Sequence, residues 1–258
     1  MDIAFLSDTL GKLMAALPTT LGLFSLAIAS GGVLALGIVW MRVSGIFILE
    51  WFARAYVFVF RGSPLLIQLF LVYYGLGQFP AIRQSLIWPL LRDPFSCAVI
   101  GLALCTAGYT AEIFRGGLLT VPAREIEAAR ACGMSGLLLF RRIIAPIAIR
   151  RVLPSYSTEI VLMVKSTALA SLVTVWEVTG VAQRIIAQTY RTMEVFLCAA
   201  VIYLVLNFVL VRLVGLLEHR LSPHLRPPTT RGEPSPAASP AAASSATPNP
   251  TSSPGAIP

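Results

Sequence analysis

Two ionisable residues stand inside one apolar run, Glu159 and Lys165 in STEIVLMVKSTALASLVTV. A charge at that depth of a bilayer costs at least about 2.5 kcal/mol on insertion scales unless it faces protein or a watery cavity. Six helical residues turn through about 600°, which leaves the two about 120° apart and free not to pair. Ser166, Thr167 and Ser171 make the neighbourhood polar. Binding of a zwitterionic or charged solute near the membrane midplane is the chemistry this pattern suits. Lys165 has an equal second reading as a structural bridge to a partner subunit.

Other apolar runs carry fewer polar tips. Tyr109 and Glu112 are three residues apart and share a helical face, while Gln68 and Tyr73 lie in an earlier run. All could line a solute path. The tyrosines also suit an interfacial belt, and Gln68 an interhelical hydrogen bond. A basic solute favours Glu159; one with an extra carboxylate gives Lys165 a partner too. Arg61 sits at the mouth of a span, where reaching to the interface is the default.

Enzyme chemistry finds no purchase. There is no HExxH or GxSxG pattern and no cluster of His, Asp and Ser, so no catalytic residue is expected. Cys97, Cys105, Cys132 and Cys198 show no CxxC spacing, and only His219 and His224 could join them, so no metal site is expected. The phosphate-loop pattern GxxxxGK[ST] is absent, and no cofactor is expected in this chain.

The elements that must position these residues are membrane helices. Of 258 residues 56% are hydrophobic and 12% charged, against about 25% charged in soluble domains. Mean hydropathy is +0.78. Five windows meet the length of about 20 apolar residues that a spanning helix needs. They are Pro18 to Met41; Pro64 to Phe79, starting earlier in the run before Arg61; Phe95 to Phe114; Ser155 to Val175; and Val195 to Leu217. Ala27, Gly31 and Ala35 form a small-xxx-small ladder for close packing in the first.

All but Lys12 and Lys165 of the 20 basic residues are arginine, and net charge is +8. In a membrane chain this excess points to cytoplasmic loops before nucleic acid. Arg42, Arg54 and Arg61 separate spans one and two, and seven arginines from Arg115 to Arg151 separate three and four. The other loops hold only Arg83 with Arg92, and Arg184 with Arg191. With the heavier loops inside, the N-terminus is periplasmic and the C-terminus cytoplasmic. Residues 1–17 then form a periplasmic segment without the look of a cleaved signal, and 18–221 the five-helix domain. Residues 222–258 hold ten of the 18 prolines and read as a disordered cytoplasmic tail.

The loop at about 115–154 is too long and patterned for a connector. Pro122 suits the first turn of a helix, AREIEAARAC continues it, and Gly133 fits the position just past its end. That is a helix of about 11 residues, roughly 16 Å long. Ser135 then caps a second short amphipathic run, broken at Pro146.

Glu127-Ala128-Ala129, Gly133, Ile143 and Pro146 resemble the EAA signature of bacterial ABC importer permeases, with Ala145 where Leu is usual. Phe60-Arg61-Gly62-Ser63-Pro64-Leu65-Leu66 resembles a segment of the polar amino acid subfamily. Stretches 109–114, 125–131 and 166–170 look most like its branch for histidine, lysine, arginine, ornithine and opines. The chain is thus identified as a member of that permease family.

The resemblance implies an all-α integral membrane protein of the type I importer permease fold, in a bacterial inner membrane. It implies that Pro122 to Gly133 is a coupling helix, with Glu127, Ala128, Ala129, Arg130 and Gly133 meeting an ATPase. Implied partners are a second permease copy or paralogue, two cytoplasmic ATPase subunits holding ATP and Mg, a periplasmic solute-binding protein and an amino acid or opine. The residues alone leave another reading open for the loop helix, a solvated helix lying on anionic lipid. They also leave an ATP-independent transporter or channel subunit using Glu159 and Lys165 as an ion site.

Overall fold

A computed structural model describes residues 3–221, with side chains described through Leu216. The expected tail, 222–258, lies outside the described residues. Among the described residues the chain is helical, without strands. The order is α1 (Ile3–Val43), α2 (Phe47–Gly62), α3 (Leu65–Phe70), α4 (Pro80–Arg83), α5 (Trp88–Arg92), α6 (Pro94–Leu119), α7 (Ala123–Ala131), α8 (Gly136–Leu139), α9 (Ala145–Ser166), α10 (Val178–Thr189) and α11 (Thr192–Leu221).

Three helices, α1, α6 and α11, are each long and apolar enough to cross a membrane. Two bent pairs pass the same test together: residues 47–62 with 65–78, bent by 107°, and 136–173 with 178–189, bent by 47°. Five crossings result if each bent pair is one span.

Both bends have local causes. Pro64 has no N–H to give Phe60, four residues back, and it forces Ser63 into an extended backbone at φ −105°, ψ 147°. The second expected span is therefore not one rod. Gln68 closes the gap, its Nε2 donating to the Phe60 carbonyl at 2.9 Å and the Ser63 carbonyl at 3.1 Å. At the other bend α9 tightens into a 3₁₀ stretch over Thr167–Val173, and Thr174 turns left-handed at φ 65°. Glu177 then starts α10, accepting the Gly180 N–H at 2.9 Å.

Two boundaries differ from expectation. The first helix starts at Ile3 and runs unbroken through Pro18, giving about 60 Å at 1.5 Å per residue, twice the hydrocarbon thickness. Its early part is not a separate segment: Leu13 and Ala16 are buried with Val178, Ala182 and Val195 of α10 and α11. The run after Ser135 is also no separate short helix. Residues 136–173 continue into the fourth crossing, with a wide turn at Phe140–Ile144 just ahead of Pro146, which has no N–H for the helical ladder.

At the centre α1 and α6 approach closely. Ala27 and Ala35 are fully buried, and a Cβ on Gly31 would lie 2.1 Å from Thr106 Cγ2 and 3.0 Å from the Ala103 carbonyl. The small ladder thus faces α6. Gly117 does the same for α6 and α9, with Val152 Cγ2 2.1 Å from its absent Cβ.

Candidate functional site

Glu159 is buried on α9, at 8% exposure. Thr106 of α6 donates to its Oε1 at 2.8 Å, and among the described residues nothing hydrogen-bonds Oε2. This is the arrangement of a carboxylate with one oxygen fixed and the other available. Lys165 is not beside it. Its side chain is exposed and among the described residues makes no ion pair, so the two expected path charges part as their helical phase requires. Ser166 and Thr167 use their hydroxyls on their own helix, bonding the Leu162 carbonyl at 3.0 Å and the Val164 carbonyl at 2.6 Å.

The remaining expected path residues divide. Gln68 closes the α2–α3 break with its Nε2, and its Oε1 is buried without a hydrogen-bond partner among the described residues. Tyr109 faces α2, its hydroxyl 3.5 Å from the Arg61 carbonyl. Tyr73 reaches Thr174 at 3.1 Å, linking the segment after the first bend to the second bend. Glu112 is bridged to Arg115, three residues on, and stands 3.8 Å from Arg42 at the end of α1. It joins α6 to the end of α1.

The loop helix forms as α7. Pro122 precedes it in extended conformation, and Gly133 follows at φ +80°, with Met134 N–H closing on the Ala129 carbonyl at 3.0 Å. That is the αL cap which favours glycine. Glu127, Ala128 and Arg130 are exposed, whereas Ala129 is buried against the chain itself. Ala129 therefore seats the helix, and the exposed three form its outward face.

Sequence reasoning missed Glu177. Its side chain is fully buried, accepting from the Gly180 N–H and from the Tyr203 hydroxyl of α11 at 2.7 Å. Val178 N–H donates to Thr20 Oγ1 of α1 at 3.2 Å. The cluster ties three helices at the second bend. A Glu in a helix-starting position is a weak cue, since Ser, Thr, Asp and Asn lead there. Thr106 was missed too, being one polar residue in a small-residue run.

A bundle of apolar helices with two bent crossings, a buried carboxylate and a short exposed helix between α6 and α8 fits a transport subunit. The comparisons agree. Residues 33–223 match the family described as binding-protein-dependent transport system inner membrane component. The octopine transport system permease protein OccM of Rhizobium radiobacter is 56% identical over 87% of this chain and 92% of that protein. The nopaline transport system permease protein NocM of Agrobacterium fabrum is 48% identical over 88% and 94%. The histidine/lysine/arginine/ornithine permease HisM of Escherichia coli K12 is 40% identical over 82% and 89%. A crystal structure of an amino acid ABC transporter with histidines aligns with TM-score 0.76 and 33% identity, over 85% of this chain and 99% of that one.

The chain belongs to the binding-protein-dependent transport system inner membrane component family. It is a multi-pass inner-membrane permease component of an ABC importer, a type whose ATPase and binding-protein partners are separate. That membership sets aside the ATP-independent carrier.

Proposed function

We propose that the chain is one membrane half of an importer that carries an opine or a basic amino acid from a periplasmic binding protein to the cytoplasm. The observation that carries this reading is the 56% identity to an octopine permease across 92% of its length. Glu159 supports it chemically: a buried carboxylate with a free oxygen suits a guanidinium or ammonium end.

The N-terminus is periplasmic and the α7 end cytoplasmic, because arginines concentrate around α7 to α9. On that side α7 docks on an ATPase through Glu127, Ala128 and Arg130, while Ala129 and Gly133 hold its shape. A second permease, identical or homologous, completes the path across a two-fold axis, and two ATPase subunits drive it. Lys165, exposed on the single chain, fits a bridge to that second permease better than a contact to Glu159.

Uptake competition in cells expressing the complete importer tests the substrate class. Labelled arginine uptake should be displaced by octopine and by unlabelled arginine, and poorly by neutral amino acids. Displacement by neutral amino acids alone would remove the reading.

A further inference from the structure

Both bent crossings carry irregular backbone at or beyond the bend. In the first, the segment after Pro64 widens into a π turn over Leu71–Gly75, which holds Tyr73. In the second, the 3₁₀ stretch Thr167–Val173 ends on Thr174 at φ 65°. π turns and 3₁₀ stretches inside longer helices mark hinges and functional positions. A β-branched residue at positive φ is strained, and it persists only where its surroundings hold it there. Facing Thr174 is Tyr73: the two hydroxyl oxygens stand 3.1 Å apart, across 101 positions of sequence.

The second bend is held unequally on its two sides. Toward α1 and α11 its ties are buried: Val178 N–H donates to Thr20 at 3.2 Å, and the Tyr203 hydroxyl donates to Glu177 at 2.7 Å. Thr20 and Glu177 are both fully buried, so breaking these ties would orphan polar groups in the interior. Toward the first bent crossing, the hydrogen bond printed by the geometry is the Tyr73–Thr174 pair, which is exposed on the single chain. The Tyr73 ring is seated independently of that bond, against the cluster that holds Ala170, Val173 and Val175. A relative shift of the two crossings therefore parts the hydroxyls before it parts the buried anchors, and leaves the ring in place to remake the bond.

We propose that the Tyr73–Thr174 hydroxyl pair is a latch between the two bent crossings, closed in the resting importer and opened in each transport cycle. The left-handed backbone at Thr174 acts as the spring. Its relaxation favours release, and the hydrogen bond from one crossing to the other opposes that. Tyr73 is thus a positioning residue for transport, acting on the second bend and not on the solute. The inference rests on the chain's membership of an ATP-driven importer and holds whichever solute is carried.

The test uses the complete importer in proteoliposomes. ATP hydrolysis is read without and with loaded binding protein, and uptake of labelled octopine or arginine is read beside it. Tyr73→Phe keeps the ring and deletes one hydroxyl; Thr174→Val keeps the branched, strained position and deletes the other. Each should raise hydrolysis in the absence of binding protein about fivefold, the population change that one ordinary hydrogen bond makes, and lower the solute moved per ATP. The double variant should do no more than either single one, because both break the same bond. Thr174→Asn, a residue that accepts the left-handed region, relaxes the spring and should not raise hydrolysis. If Thr174→Val fails to assemble, Tyr73→Phe carries the test alone. Wild-type hydrolysis and a wild-type solute-to-ATP ratio in Tyr73→Phe overturn the proposal even if its Tm falls, and additive effects in the double variant overturn it too. A wild-type importer that moves neither octopine nor arginine removes the substrate class and leaves the hydrolysis measurement to decide the latch.

Discussion

Thr106 has two contacts that depend on each other: its Oγ1 donates to Glu159 at 2.8 Å, and its Cγ2 fills the space where a side chain on Gly31 would be. The packing of α1 on α6 therefore sets the rotamer that presents the hydroxyl to the carboxylate. Thr106→Val keeps the shape and deletes the donor. A lost charged-acceptor hydrogen bond is worth about 1.5–3 kcal/mol, so solute affinity should change by tenfold or more with assembly retained. Gly31→Leu should disturb the same contact by pushing Thr106 aside. Saturation curves for uptake check both; wild-type KM in Thr106→Val would separate this hydroxyl from the site.

Gly180 stands where a Cβ would lie 2.5 Å from the Val175 carbonyl. Backbone cannot swing away as a side-chain tip can. Gly180→Ala should destabilise the start of α10 by about 1–3 kcal/mol, the usual range for overpacking. Thermal unfolding of the detergent-solubilised protein should show a lowered Tm, and an unchanged one would mean the turn relaxes freely.

Glu177 closes α10 and receives Tyr203. Glu177→Ala removes the cap, orphans the Gly180 N–H and leaves the Tyr203 hydroxyl with the Thr179 hydroxyl, 3.2 Å away, for a loss of about 2 kcal/mol. Glu177→Gln retains an acceptor for the Gly180 N–H and should lose less. Equal Tm for the wild type and both variants would deny the cluster a structural role.

Outside the spans, Asp93 caps α6. The Ser96 hydroxyl, at 2.8 Å, and the Ser96 N–H, at 2.9 Å, hold its carboxyl below the usual carboxylate range. A depressed acid adds stability above its unfolded pKa of about 3.9, lost as pH falls through the lower folded value. Protection factors of the amides in the first turn of α6 should therefore fall below about pH 4. Asp93→Asn keeps a cap and should flatten that dependence; an equally steep response in the variant would assign it elsewhere.

On α7, Gly133→Asp places a side chain at φ +80°, and Glu127→Lys reverses the charge of an exposed position. Together they should uncouple transport from ATP hydrolysis while the permease still inserts. Co-purification of the ATPase with the double variant at wild-type yield and wild-type uptake would rule out α7 as the contact.

Much of this was legible in the sequence, for identifiable reasons. Apolar length marks α1, α6 and α11, and the Pro122 to Gly133 pattern marks α7, because capping chemistry is local. The Pro64 break was harder: apolar count sees residues through it, and only the lost N–H says the span turns. Glu159 stood out because charge in an apolar run is costly. Its partner Thr106, and the Glu177–Tyr203 tie, depend on residues 53 and 26 positions apart, which no local pattern carries. Lys165 drew equal notice by depth, but helical phase sends it to the outside.

The central claim is best tested by the accumulation of labelled octopine in proteoliposomes holding the complete importer, with and without ATP, for wild type and Glu159→Gln. ATP-dependent accumulation in the wild type, lost in Glu159→Gln with assembly and ATP hydrolysis retained, is the predicted result. Accumulation that needs no ATP, or that Glu159→Gln leaves intact, would contradict the account.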